Sequence, residues 1–276
     1  MMQALGESLL AIMEQSGVMD AEVEARIATG LTRPDFFDWP GHLRREVLPS
    51  DPELVVVMFG ANDAQGIQLP DGSVRRRFEQ GWLDEYRRRV GEVMDLLRDP
   101  EGDRLVVWVG QPPMRPGTVA GVEKMNAIYW EEARERPWVV YFDSWPFLAT
   151  TEGQYADYLP NAAGQAERVR KQDGIHLTRE GADRLAAEIY ERLTRLVDLS
   201  ASQYSPPADD LAAVRRAGAY RATTPGPRAD RVRLALESAG LRSHRGRRSH
   251  RGGACLQGRR RLSSVFGRRL HREIGG

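Results

Sequence analysis

Six consecutive apolar residues, Leu54-Val55-Val56-Val57-Met58-Phe59, constrain the fold more than any other feature of this chain. A strand with one wet face alternates apolar and polar residues; an unbroken run is covered on both faces. Residues 105–109 repeat the pattern, and residues 138–142 read as a further strand. Between and around these runs the period changes to that of a helix. Residues 78–97 place Trp82, Tyr86, Val90, Val93, Met94 and Leu97 on one side. Residues 124–134 are helical, and a helix is expected over 42–47. Residues 1–15 carry Met2, Leu5, Leu9, Ile12 and Met13 on one face, with Ser16-Gly17 as the stop. A short strand is expected over 23–27. Thr178 reads as the N-cap of a last helix striped by Leu185, Ile189, Leu193 and Leu196. Strands alternating with helices predict parallel strands joined by right-handed crossovers: an α/β protein with a three-layer α/β/α sandwich and a mostly parallel sheet. Sites in such sheets lie at the carboxyl ends of the strands. Gly30, Asn62 and the loop after Val109 all fall there.

Charge divides the chain near residue 200. Residues 201–276 hold 17 basic and 5 acidic side chains, a balance of +12, whereas residues 1–200 stand at −11. The basic residues of the second part are all arginine, set among Gly, Ser and Ala, and its hydrophobic periodicity fades. Residues 1–197 are therefore read as one domain and 198–276 as an arginine-rich tail, largely disordered, of the kind a shifted reading frame in a GC-rich gene also produces. The tail has the electrostatics of a nucleic-acid binder but no interleaved aromatics and no recognised module, which argues against nucleic acid as a partner. The single cysteine, Cys255, excludes an intramolecular disulfide and a cysteine-based metal site. No apolar run reaches the length of a membrane span.

Three short blocks carry the chemistry. His176, in Asp173-Gly174-Ile175-His176, is a candidate general base. Asp173, three positions earlier on a loop, can accept from one ring nitrogen and fix the tautomer. Asn62, in Gly60-Ala61-Asn62-Asp63, offers a side-chain amide at a strand end, and Gly30 offers a backbone N–H with no side chain to block approach. Two such donors aimed at one point form an oxyanion hole. Other residues have plainer readings: Asp63 as a structural cap, His42 as a surface or partly buried side chain, Trp39, Phe36 and Phe37 as core. Gln111-Pro112-Pro113-Met114 suits a site wall or a rigid connector equally. Residues 144–172 are long for a plain connection and suggest part of a lid, with Arg168 and Arg170 solvated or facing an anionic substrate.

In order and spacing these blocks resemble the SGNH branch of the GDSL hydrolases, and residues 29–40 resemble a bacterial subgroup of undefined substrate. The resemblance implies a flavodoxin-like sheet and hydrolysis, or acyl transfer, at a carboxylic ester through an acyl-serine. His176 would then be the base, Asp173 its orienter, and Gly30 and Asn62 the oxyanion donors. It implies no cofactor and no metal. The partner would be a small-molecule or saccharide ester, acetyl esters of a saccharide by analogy. The family's first block, a strand ending in Gly-Asp-Ser, has no counterpart. The expectation is that the chain starts just after it, so that the sheet lacks its first, central strand and the nucleophile is absent. Ser8, in Gly6-Glu7-Ser8, is a weak substitute, because no apolar strand precedes it. The expected outcome is an esterase by descent, inactive as written. Alternatives are a non-catalytic carboxylate- or acyl-binding module, and nucleic-acid binding through the tail. The compartment is left open; a periplasmic or membrane-anchored location follows if an upstream signal was lost.

Overall fold

The computed structural model describes residues 2–16, 19–102, 104–196 and 260–264. Helix α1 (Met2–Ser16) leads into strand β1 (Met19–Val23). A short helix α2 (Trp39–His42) widens into a π-helical turn, Leu43–Val47, ahead of strand β2 (Leu54–Val57). A small hairpin, β3 (Ile67–Gln68) and β4 (Val74–Arg75), precedes helix α3 (Gln80–Leu96). Strand β5 (Leu105–Val109), helix α4 (Val122–Arg134) and strand β6 (Val139–Phe142) follow. A second hairpin, β7 (Tyr158–Pro160) and β8 (Ala166–Arg168), leads to helix α5 (Arg179–Thr194). Strand β9 (Arg260–Ser264) lies far along the chain.

The main sheet is parallel throughout, in the order β1-β9-β2-β5-β6. Its two faces sort by strand period. Val56, Met58, Leu105, Val107, Val109, Val140 and Phe142 join α1 and α5 in one core, through Leu5, Leu9, Met13, Leu185 and Ile189. Val55, Val57, Phe59, Val106, Trp108 and Val139 join α3 and α4 in the other, through Trp82, Tyr86, Val90, Met125 and Ile128. The doubly apolar strands and the one-sided helices thus require each other, which gives the expected α/β/α layering. No helix among the described residues is long and apolar enough to cross a membrane.

Several sequence expectations shift. The strand expected over 23–27 is formed by Met19–Val23 instead, so that Ala21 and Val23 pack on the core while Ile27 stands exposed in a turn. The helix expected over 42–47 starts at Trp39, because Asp38 caps it by accepting from the Gly41 N–H and Pro40 occupies a position where no N–H is needed. Residues 144–172, expected as part of a lid, supply none of the cleft-lining residues. They build the β7–β8 hairpin, whose Leu159, together with Val169, enters the core beside α5.

Most of the tail, including the arginine cluster at 245–248, lies outside the described residues. The exception is β9. It takes an inner place in the sheet, between β1 and β2, where the sequence reading leaves a strand missing, pairing Leu262 with Ala21 on one side and with Leu54 on the other. Two parallel strands facing an empty slot would each leave a row of N–H and C=O groups unpaired, and an extended segment satisfies both rows.

Candidate active site

The carboxyl ends of β1, β2 and β5 converge on a cleft of about 140 Å³. Its lining comes from the loop after β1 (Ala25, Arg26, Thr29), the start of α2 (Trp39), the turn after β2 (Met58 to Asn62), the loop after β5 (Gln111, Val119) and the loop before α5 (Ile175, His176). His176 and Asn62, 114 residues apart in sequence, therefore face one small space; Gly30 is not among the lining residues, and its neighbour Thr29 is.

The Asp173–His176 loop is preorganised by its own hydrogen bonds. Gly174 sits at φ +71°, a left-handed conformation natural to glycine, and a side chain there would run into Arg115. The turn brings the backbone N–H groups of Ile175 and His176 onto Asp173 Oδ1, at 2.8 and 2.9 Å. The other carboxylate oxygen, Oδ2, lies 2.6 Å from His176 Nδ1. Partial burial pushes the Asp173 carboxyl up, but the two N–H groups and the imidazole outweigh it and hold it at about 2. An ionised Asp173 can only accept, so Nδ1 carries a proton, and in the neutral imidazole Nε2 keeps a lone pair. Both side chains remain roughly half exposed at the cleft mouth.

Beneath this loop Arg170 is fully buried, which corrects the expectation of a solvated or substrate-facing cation. It donates to the carbonyls of Ile175 and Pro113, at 3.1 and 2.7 Å, and so fastens the His176 loop to the loop after β5. Burial lowers its pKa to about 10, against the pull of Tyr155, Asp157 and Asp173.

The two blocks expected to hold an oxyanion are tied to each other. Asn62 Nδ2 donates to the Thr29 carbonyl at 3.0 Å, and its second amide hydrogen has no partner among the described residues. Asp63 beside it is fully buried and accepts from Thr32 N, Thr32 Oγ1 and Tyr86 OH, at 2.8, 3.1 and 2.9 Å. Burial drives its pKa up against those bonds. A β-carbon on Gly30 would overlap the Asp63 carboxylate. Glycine at position 30 is thus demanded by the close approach of Asp63, a different reason from the open path to ligand that the sequence suggests. Asp63 is structural, as expected. Trp39 is core and cleft wall at once: it is 3 % exposed and donates from Nε1 to Thr29 Oγ1 at 3.1 Å. His42 is buried, 3.2 Å from Glu24.

Ser8 lies in the middle of α1, 5 % exposed, and is not among the cleft-lining residues. Those residues include no serine or cysteine; Thr29 supplies their only hydroxyl, which donates to the Arg26 carbonyl. None of residues 144–172 lines the cleft. Gln111 does, whereas Pro112, Pro113 and Met114 of the same loop do not. Arg26 was not expected there, since the sequence pattern places it inside a strand. Among the described residues no group of three or more His, Cys, Asp or Glu is arranged to hold a metal ion.

Over residues 1–192 the sequence matches the family described as "Protein of unknown function (DUF459)". No curated protein matches it. Among solved structures it is similar to Est24, a carbohydrate acetylesterase from Sinorhizobium meliloti, at 17% identity and a TM-score of 0.49 over 70% of this chain and 85% of that one. It is also similar to a carbohydrate esterase family 3 structure from Talaromyces cellulolyticus, at 14% identity and a TM-score of 0.45 over 70% and 90% of the two chains. A peptidoglycan O-acetylesterase aligns at 13% identity and a TM-score of 0.42, over 63% of this chain and 45% of that one. None of these likenesses assigns an activity to this chain.

Proposed function

We propose, for a chain that belongs to the DUF459 family, that the cleft is an acyl-ester site of the SGNH hydrolase type, shaped for a short acyl group such as acetyl on a saccharide. One observation carries the reading: His176, held by Asp173 at 2.6 Å, and Asn62, tied to the Thr29–Gly30 loop, line a single cleft. Its volume of about 140 Å³ and its walls of Trp39, Met58, Phe59, Val119 and Ile175 suit a small apolar group.

In this reading the ester carbonyl points its oxygen at the free Asn62 amide hydrogen and the Gly30 N–H, which stabilise the negative charge of a tetrahedral intermediate. Nε2 of His176 takes the proton of the attacking hydroxyl and returns it to the departing alkoxide, and Asp173 stabilises the imidazolium between those steps. The attacking hydroxyl is the part that the described cleft does not supply. Thr29 Oγ1 is committed to the Arg26 carbonyl and to Trp39, and Ser8 is buried in α1. In this reading the chain is by lineage an ester hydrolase whose cleft, among the described residues, receives the acyl group without a nucleophile of its own. That same observation favours the second reading, a non-catalytic acyl- or carboxylate-binding module, as the working state of this polypeptide.

A fluorophosphonate probe separates the possibilities. No labelling is expected, while acetate or a short acetate ester should shift the ring resonances of His176 in an NMR titration. Labelling of Ser8, or of any other serine, would overturn the inactive assignment. An unmoved His176 would overturn the acyl-site assignment.

A further inference from the structure

Gln111 follows β5 at the cleft floor and is fully buried. Its backbone is clamped on both sides by Asn126 of α4: Gln111 N donates to Asn126 Oδ1 at 2.8 Å, and Asn126 Nδ2 donates to the Gln111 carbonyl at 2.7 Å. Its side-chain Nε2 donates to the Phe59 carbonyl at 2.5 Å. That carbonyl also accepts from Tyr129 OH at 3.3 Å, and it immediately precedes the turn that carries Asn62. Gly60 has φ +141°, and a β-carbon there would overlap the Gln111 side chain. The amide orientation is therefore chemically determined. A carbonyl can only accept, so the nitrogen must face Phe59 and the oxygen must face the other way. That oxygen, Oε1, is buried and has no hydrogen-bond partner among the described residues. A buried acceptor left unpaired is costly, and sites built to pair one with a ligand discriminate strongly by it.

We infer that Gln111 is a specificity residue of this cleft, its Oε1 accepting a hydrogen bond from a hydroxyl on the alcohol part of the bound ester. The inference rests on the acyl-ester reading above and deepens it: the ligand class becomes an ester of a polyol or saccharide with a free hydroxyl near the acylated oxygen. Nε2 serves separately, as a positioning contact for the Asn62 turn.

The test compares glycerol monoacetate with propyl acetate, esters of similar size that differ in the hydroxyls, in NMR titrations of the full chain. In the wild-type protein the Gln111 side-chain amide should shift with glycerol monoacetate and not with propyl acetate. In Gln111→Met the affinity ratio of the two esters should move toward propyl acetate by about 3–10-fold, the range of one neutral hydrogen bond. A Gln111 amide that responds equally to both esters would overturn the assignment, and this readout needs no variant to fold. So would an unchanged ratio in a folded Gln111→Met protein. If propyl acetate binds beside His176 without such discrimination, the acyl-site reading survives and the Gln111 assignment falls; if neither ester reaches His176, both fall.

Discussion

Asn62 donates its side-chain amide to the carbonyl of Thr29 across 3.0 Å, joining the turn after β2 to the loop after β1. This bond brings together the two segments that would hold an oxyanion, and it uses only one of the two Nδ2 hydrogens. Asn62→Ala should therefore lower the unfolding free energy by about 0.5–1.5 kcal/mol, the net worth of one such bond. It should also displace the Thr29 and Gly30 amide resonances. Denaturant melts and a ¹⁵N spectrum read both effects, and an unchanged Gly30 signal would show that the two loops are held independently.

Gly30 and Asp63 form a second coupled pair, in contact rather than hydrogen bonded. Gly30→Ala forces a methyl group into the Asp63 carboxylate and should cost about 1–3 kcal/mol, as overpacking does. The penalty should shrink in an Asp63→Gly background, where the space is open. A double-mutant cycle measures the coupling, expected at about 0.5 kcal/mol or more. Additive effects would show that Gly30 is required for another reason.

Asp173 sets an acid limit on the His176 loop. Its folded pKa is depressed from 3.8 to about 2, so the carboxylate adds stability that is present above the unfolded value. That contribution is lost as pH falls from 3.8 toward about 2. The ¹³C carboxyl resonance of Asp173 should titrate near the lower value, and Asp173→Asn should remove this part of the acid dependence. Titration at the ordinary value would mean that the three hydrogen bonds do not persist in solution.

Strand β9 makes the distant tail part of the sheet. β1 and β2 each pair with it, and neither pairs with the other. Leu262→Pro removes one N–H from the middle of this five-residue strand and should cost about 1–3 kcal/mol, the penalty of leaving a buried partner unsatisfied. Backbone amides of β1 should also exchange faster. Unchanged melting and exchange would show that β1 is held without β9.

The layering was legible because its signal is local. The runs at 54–59 and 105–109 are apolar on both faces, and helices packed on both sides of the sheet cover them. The Asp173–His176 pair was legible for the same reason: three residues and a glycine turn contain the whole interaction. Arg170 was misread because its charge says solvent, while its place below that loop, with two carbonyls in reach, says burial. The position of β1 was misread because apolar residues at 23–27 count for less than the packing of Ala21 and Val23 on α1 and α5.

Sequence by itself determined the strand and helix periods, the glycine turn before His176 and the residue types of the candidate site, since each depends on side chains close together along the chain. Only the tertiary structure decided that Asn62 reaches Thr29, that Gly30 yields to Asp63, that Gln111 lies in the cleft with an unpaired oxygen, and that a segment beyond residue 259 closes the sheet. These are contacts between residues 15 to more than 200 positions apart, and they exist only once backbone groups and buried polar atoms have competed for partners in three dimensions.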